Sequence, residues 1–123
     1  MIWILSQVAL GGAIGASLRY LSVTGATRAL GASFPFGTLM VNVTGSFLMG
    51  LLFIILHARG SSLSPLLLTG ILGGFTTFSA FSLDAVTLWA SGQPTQAALY
   101  VAASVIFSLA ALVLGAAIAR SFT

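Results

Sequence analysis

The sequence predicts an all-α membrane protein of four transmembrane helices, and three observations predict it. Of its 123 residues, 59% are hydrophobic and 4% charged, where a soluble domain carries about 25% charged residues. The mean hydropathy is +1.16. The apolar residues fall into four stretches, each long enough for the roughly 30 Å of a bilayer core. Residues 1–123 therefore form one four-span membrane domain, with spans at about 2–23, 36–56, 65–90 and 95–119 and both termini on the same side. No soluble domain, long linker or internal repeat stands out.

Charge and cysteine content remove several function classes. The net charge of +3 comes from four basic residues and one acid, spread without the basic patch that nucleic-acid binding requires. The absence of cysteine excludes disulfides, thiolate catalysis and cysteine metal sites. The opening residues run directly into Ile2, Trp3, Ile4 and Leu5 with no basic n-region, so a retained first span is expected.

Span one carries Trp3 and Tyr20 as interfacial anchors, and Gly11, Gly12 and Gly15 as a small-residue face for close helix packing. A polar connection is expected from Thr24 to Ser33, before Pro35 restarts the chain. Span two includes Asn42, Thr44, Gly45, Ser46 and Gly50, and His57 to Ser62 form a short polar loop. Ser64 before Pro65 reads as a capping hydroxyl ahead of a proline at the first helical position. Span three stops at Ser91-Gly92-Gln93-Pro94. Span four ends at Arg120.

The stretch Gly73-Gly74-Phe75-Thr76-Thr77-Phe78-Ser79-Ala80-Phe81 is a poor plain helix. Paired glycines form helices weakly, and Ser and Thr offer the backbone competing hydrogen bonds. Two readings follow: a helix unwound near mid-membrane over Gly73 to Thr76, exposing carbonyls, or a close helix–helix contact.

Loop charges bear on orientation. Arg19 and Arg28 lie towards one side, Arg59 and Arg120 towards the other, and there is no lysine. Two against two gives no positive-inside bias, which favours insertion in both orientations and an antiparallel pair. The alternative is one orientation set by other features.

Few residues can carry chemistry. Asp84, the only acid, is either a functional intramembrane carboxylate or, as its place away from mid-span favours, a hydrogen-bonding or interfacial residue. His57 reads as a solvated loop residue. Neither a triad nor a metal cluster can be assembled from these, so the chain is not read as an enzyme. Arg19 reads from its spacing as a snorkelling anchor near the far interface, with a positive charge at a pore mouth as the other reading. The polar groups are mostly uncharged: Asn42, Thr76, Thr77, Ser79, and a row of Tyr100, Ser104 and Ser108 at four-residue spacing. Such groups can replace a small ion's hydration without a net-charge trap. Phe78 and Phe81 share a helix face and could offer positive ring edges to an anion.

These residues carry a family resemblance. Gly15-Ala16-Ser17-Leu18-Arg19, Gly37-Thr38-Leu39-Met40-Val41-Asn42 and the Gly73–Phe81 stretch resemble the Fluc (CrcB) fluoride channels, over essentially the whole chain. The resemblance implies a multi-pass protein of the cell (inner) membrane that passes fluoride down its electrochemical gradient, exporting it from the cytoplasm to relieve toxicity. It implies an antiparallel, dual-topology homodimer with two pores. Phe78, Phe81 and Asn42 would face fluoride, and Arg19 would electrify the vestibule. Thr77, Ser79, Tyr100, Ser104 and Ser108 would line or support the path. The backbone carbonyls of Gly73 and Thr76 from both copies would hold a structural sodium ion at the dimer interface. The family often has Glu where this chain has Asp84, and Thr where it has Ala80. The main alternative is a small dual-topology, proton-coupled multidrug transporter; that class uses a carboxylate in the first span, and span one here has none. A purely structural subunit would leave the clustering of polar groups unexplained.

Overall fold

The computed structural model describes residues 1–123 and is all-helical. Its elements are α1 (Ile2–Leu30), α2 (Phe36–Arg59), a wide-turned π-helix (Pro65–Leu72), the single turn α3 (Gly73–Phe75), α4 (Phe78–Ala90) and α5 (Pro94–Arg120). Four stretches are long and apolar enough to cross a membrane, and the third, Pro65–Ala90, contains the π-helix, α3 and α4. Only 19 of 123 residues are buried, so most of the apolar surface of a single chain is left for lipid or for another copy. Trp3, Leu10, Phe53, Val86, Trp89, Ile106 and Leu114 are among the large side chains facing outward.

Local chemistry explains the joints. Gly60 takes a left-handed conformation (φ 60°) after α2, and Ser61 N–H returns to the Leu56 carbonyl at 3.0 Å, closing a helix end in the manner that favours glycine. At the far end of the third span, Gly92 (φ 79°) and Pro94 make the stop and restart that the sequence predicts. Three expectations fail at helix ends. The polar loop does not begin at His57: α2 continues through His57 to Arg59, and the loop starts at Gly60. The segment from Thr24 onwards is not a loop: α1 runs to Leu30, because Ala26, Ala29 and Leu30 are good helix formers and no proline intervenes before Pro35. Ser64 is not a capping hydroxyl either. It is already in helical conformation and its Oγ turns back to the Ser61 carbonyl at 3.4 Å.

The third span divides its packing. Its first half lies along α1, whereas α4 lies along α5, and α2 and α5 share the most extensive contact in the chain. The α1 contact is made by glycine. A Cβ at Gly11 would come within 2.8 Å of the Gly70 Cα, and one at Gly74 within 2.9 Å of the Gly12 carbonyl oxygen, closer than side chains tolerate. The α4–α5 side is instead a small apolar core of Phe81, Leu88, Ala97 and Tyr100, backed by Phe34, Leu39 and Ala85. The chain between the two packed halves is where the third span is interrupted.

Candidate functional site at the interruption of the third span

The interruption is two residues long. Thr76 (φ −88°, ψ 157°) and Thr77 (φ −152°, ψ 123°) are extended, whereas Gly73 remains helical (φ −62°, ψ −37°). The sequence-based expectation that Gly73 and Gly74 begin the unwinding is therefore corrected. Gly74 also stays in helix, and α1 packs on it too closely for any side chain. The β-branched threonines, weaker helix formers, leave helical geometry instead.

Asn42 holds the extended segment from α2. Its Nδ2 donates to the Thr77 carbonyl at 2.9 Å, and its Oδ1 accepts from Thr77 N–H at 2.8 Å. One side-chain amide thus takes both hydrogen-bonding groups of Thr77, as a neighbouring strand would. Thr77 Oγ1 then accepts from Ala80 N–H at 3.1 Å and caps α4; Ser79 Oγ lies 3.3 Å from the same hydroxyl. Thr76 Oγ1 donates back to the Leu72 carbonyl at 2.9 Å. Its methyl group presses on Gly45, where a Cβ would overlap it.

Arg19 comes to the same place. Its Nε donates to the Gly74 carbonyl at 3.0 Å, so it turns inward to the break. The snorkelling-anchor reading is overturned, because α1 continues to Leu30 and Arg19 lies well inside the helix.

Some freed groups find no partner in the chain. With Thr77 N–H turned to Asn42, the Gly73 carbonyl accepts no hydrogen bond, and neither does that of Thr76. Across the gap, Phe78 and Ser79 N–H at the start of α4 have no acceptor. The α3 end presents acceptors and the α4 end donors, the arrangement that helix dipoles favour for a cation and an anion respectively. The two carbonyls fit a hard cation, which takes neutral oxygen ligands. One chain supplies only two of them, and nowhere do three His, Cys, Asp or Glu side chains gather.

A cavity of about 380 Å³ opens beside the break between α2 and α5, and Asn42, Thr76, Thr77, Phe78, Phe81, Ser104 and Ser108 all line it. The Phe78 and Phe81 rings lie 5.4 Å apart at 57°. Phe78 is 78% exposed, whereas Phe81 is 9% exposed and packs on Tyr100 at 5.3 Å. Ser104 is 6% exposed and its Oγ has no partner. A second cavity, of about 320 Å³, lies on another side of the break and includes Arg19, Tyr20, Thr24, Thr38 and Ala80; Thr77 borders both.

Two predicted path residues stand apart from the first cavity's lining. Ser79 reaches it only through Thr77. Tyr100 is fully buried and donates to Asp84 Oδ2 at 3.1 Å, with Phe34 edge-on at 5.6 Å. Asp84 is thus a hydrogen-bond partner, the reading its position favours. The sequence reading names Gly45 only among the residues of span two, since nothing local marks it as the seat of the Thr76 methyl.

Residues 6–116 match the family model described as CrcB-like protein, Camphor Resistance (CrcB). The chain is similar to a protein of Cereibacter sphaeroides (strain ATCC 17029 / ATH 2.4.9) named Fluoride-specific ion channel FluC. The two are 58% identical over 122 residues, covering 99% of this chain and 98% of that protein. Proteins of the same name from Chelativorans sp. (strain BNC1) and Ruegeria sp. (strain TM1040) are 58% and 57% identical, covering 95% and 93% of this chain and 96% and 92% of theirs.

Proposed function

The chain belongs to the CrcB-like protein family, and from that premise we propose that it is a fluoride-specific ion channel, a multi-pass membrane protein and not an enzyme. The observation that carries the reading is 58% identity over 99% of the chain to a protein named for that activity. Flux is passive, down the electrochemical gradient, and in the cell it exports fluoride across the inner membrane. The interrupted span explains how this chain could do so.

Fluoride is small and strongly hydrated, so a conducting site must replace its water with donors that bind it weakly enough to release it. The first cavity offers such donors without a fixed charge. Ser104 has a hydroxyl with no competing partner, Ser108 a second, and Asn42 retains one N–H after serving Thr77. The edges of Phe78 and Phe81 are positive and dry. The free N–H groups at the start of α4 add the positive end of a helix dipole. Thr77 and Ser79 set that helix start, and Tyr100 positions its neighbour Phe81. Arg19 raises the anion concentration in the second cavity, which acts as the vestibule. A proton-coupled drug exchanger has no support here, since the only acid is Asp84, bound to Tyr100.

The functional unit is an antiparallel homodimer. Three features support it: the uncovered Phe78, the two unpaired carbonyls, and loop charges that differ by one. With Arg19 drawn inward, Arg28 stands on one side against Arg59 and Arg120 on the other, still without lysine. Tags at the C-terminus are expected to be accessible from both faces of the membrane in intact cells. Labelling from one face only would contradict dual topology. Two lysines added to one loop should bias insertion and reduce flux.

A sodium ion at the dimer interface, held by the Gly73 and Thr76 carbonyls of both copies, would satisfy four acceptors that otherwise stay bare. A buried carbonyl without a partner costs about 1–3 kcal/mol. When bound, the ion supplies fixed positive charge that offsets the desolvation of a nearby anion. Preparing the protein without sodium is expected to lower dimer stability or silence fluoride flux, with recovery on re-addition. Unchanged dimer stability and flux in rigorously sodium-free buffer would contradict this site. Reconstituted fluoride efflux tests the function as a whole.

A further inference from the structure

The contact between α2 and α5 contains two glycines whose role no part of the path has yet used. A Cβ at Gly50 would overlap the Leu112 carbonyl and come within 3.0 Å of Ala116 N. A Cβ at Gly115 would overlap the Phe47 carbonyl and come within 3.0 Å of Leu51 N. Each glycine therefore meets the backbone of the opposite helix, with no flexible side chain that could give way. Any side chain at either position must push α2 and α5 apart.

That contact lies beside the first cavity. Met49 and Leu112, neighbours of the two glycines in sequence or in contact, both line it. So do Asn42 on α2 and Ser104 and Ser108 on α5. A separate observation points to the α5 side of this cavity. Ser104 Oγ is buried, has no hydrogen-bond partner, and belongs to a residue lining it. A buried hydroxyl without a partner is uncommon in a folded chain, and this one belongs to a residue of the cavity wall.

We propose that the Gly50–Gly115 crossing determines ion-size discrimination, by holding α2 and α5 at the separation where Asn42 on one helix and Ser104 and Ser108 on the other contact a small anion together. The inference rests on the channel reading above. Packing at helix contacts is stiff, so a methyl group wedged between two backbones displaces the helices. Once the donors are moved apart, they no longer close on fluoride, while a larger halide gains room. Discrimination in such paths depends on pore width and on donor number together. Gly50 and Gly115 touch neither the ion nor its donors; they are positioning residues.

The test uses full-length protein in liposomes loaded with fluoride or chloride. Gly50→Ala, Gly115→Ala and Leu112→Ala are compared with wild type and with Gly25→Ala, whose added Cβ meets open space. Gly50→Ala and Gly115→Ala should lower the fluoride-over-chloride efflux ratio by about tenfold or more, the scale on which one methylene alters discrimination. Gly25→Ala should keep the wild-type ratio. Leu112→Ala enlarges the same cavity without displacing backbone and should lower the ratio as well; it decides the matter if the glycine variants do not assemble. A packing role alone would reduce the amount of assembled protein and the total flux but leave the ratio unchanged. Assembled variants with the wild-type ratio, beside a fluoride-selective wild type, would overturn this inference alone. A wild-type protein that passes no fluoride would overturn the channel reading beneath it.

Discussion

Asn42→Ala is expected to abolish fluoride efflux from reconstituted protein and also to lower its stability, because on the proposed reading one amide serves both the backbone and the path. Asn42 binds Thr77 N–H and C=O at 2.8 and 2.9 Å. Alanine leaves both part-buried groups without that partner, at up to about 1–3 kcal/mol for each. The sequence alone suggests a milder outcome, an effect on conduction with packing nearly intact; the two-point bond to Thr77 changes that expectation. Asn42→Asp separates the roles. It preserves shape and the acceptor for Thr77 N–H but removes both N–H donors and adds negative charge on the route. Its second carboxylate oxygen faces the Thr77 carbonyl and lowers stability as well, so the comparison is made on assembled protein, which should still fail to conduct. Thermal unfolding and dimer content in detergent, measured beside liposome efflux, check both outcomes. Wild-type efflux from assembled Asn42→Asp would remove Asn42 as an anion donor.

The second large effect concerns the two rings. Phe78→Ile and Phe81→Ile retain bulk and lose the positive edge, so both should lose most fluoride efflux. Their stabilities should differ. Phe81 is packed among Leu88, Ala97 and Tyr100, and reshaping that core costs about 1–3 kcal/mol. Phe78 is largely uncovered within one chain, so its replacement should leave the fold of the chain nearly unchanged. Loss of flux in Phe78→Ile with normal thermal stability would tie the ring to conduction directly. Wild-type efflux from both assembled variants would take the rings out of the mechanism.

Much of this architecture is legible in the sequence because a bilayer imposes coarse rules. Length, apolarity, the polar run from His57 to Ser62 and the stop at Ser91-Gly92-Gln93-Pro94 place four spans, and hydroxyl-rich residues within an apolar run mark the third as irregular. What one chain of letters does not carry is which residue faces which. The glycine pair at Gly73-Gly74 reads as flexible, yet both residues stay helical, with α1 packed directly on Gly74. The interruption moves to Thr76 and Thr77, where an amide 35 residues earlier in the chain is available to take the freed groups. Arg19 reads as interfacial only while α1 is thought to end early. Once the helix continues to Leu30, its side chain lies within reach of the Gly74 carbonyl. The Tyr100, Ser104, Ser108 row is correctly seen as one face, but only Ser104 and Ser108 line the cavity. Tyr100 turns to Asp84, a pairing that spacing along either helix could not show.

The central claim is that this chain passes fluoride passively and in preference to larger anions. Purified protein reconstituted at about one functional unit per liposome, with internal fluoride and an ionophore to clamp the voltage, gives the most direct measurement. Rapid fluoride efflux that needs no proton gradient, with chloride largely retained under the same conditions, is the expected result. Fluoride retained in liposomes that demonstrably contain assembled protein, or efflux that requires an imposed proton gradient, would contradict the account.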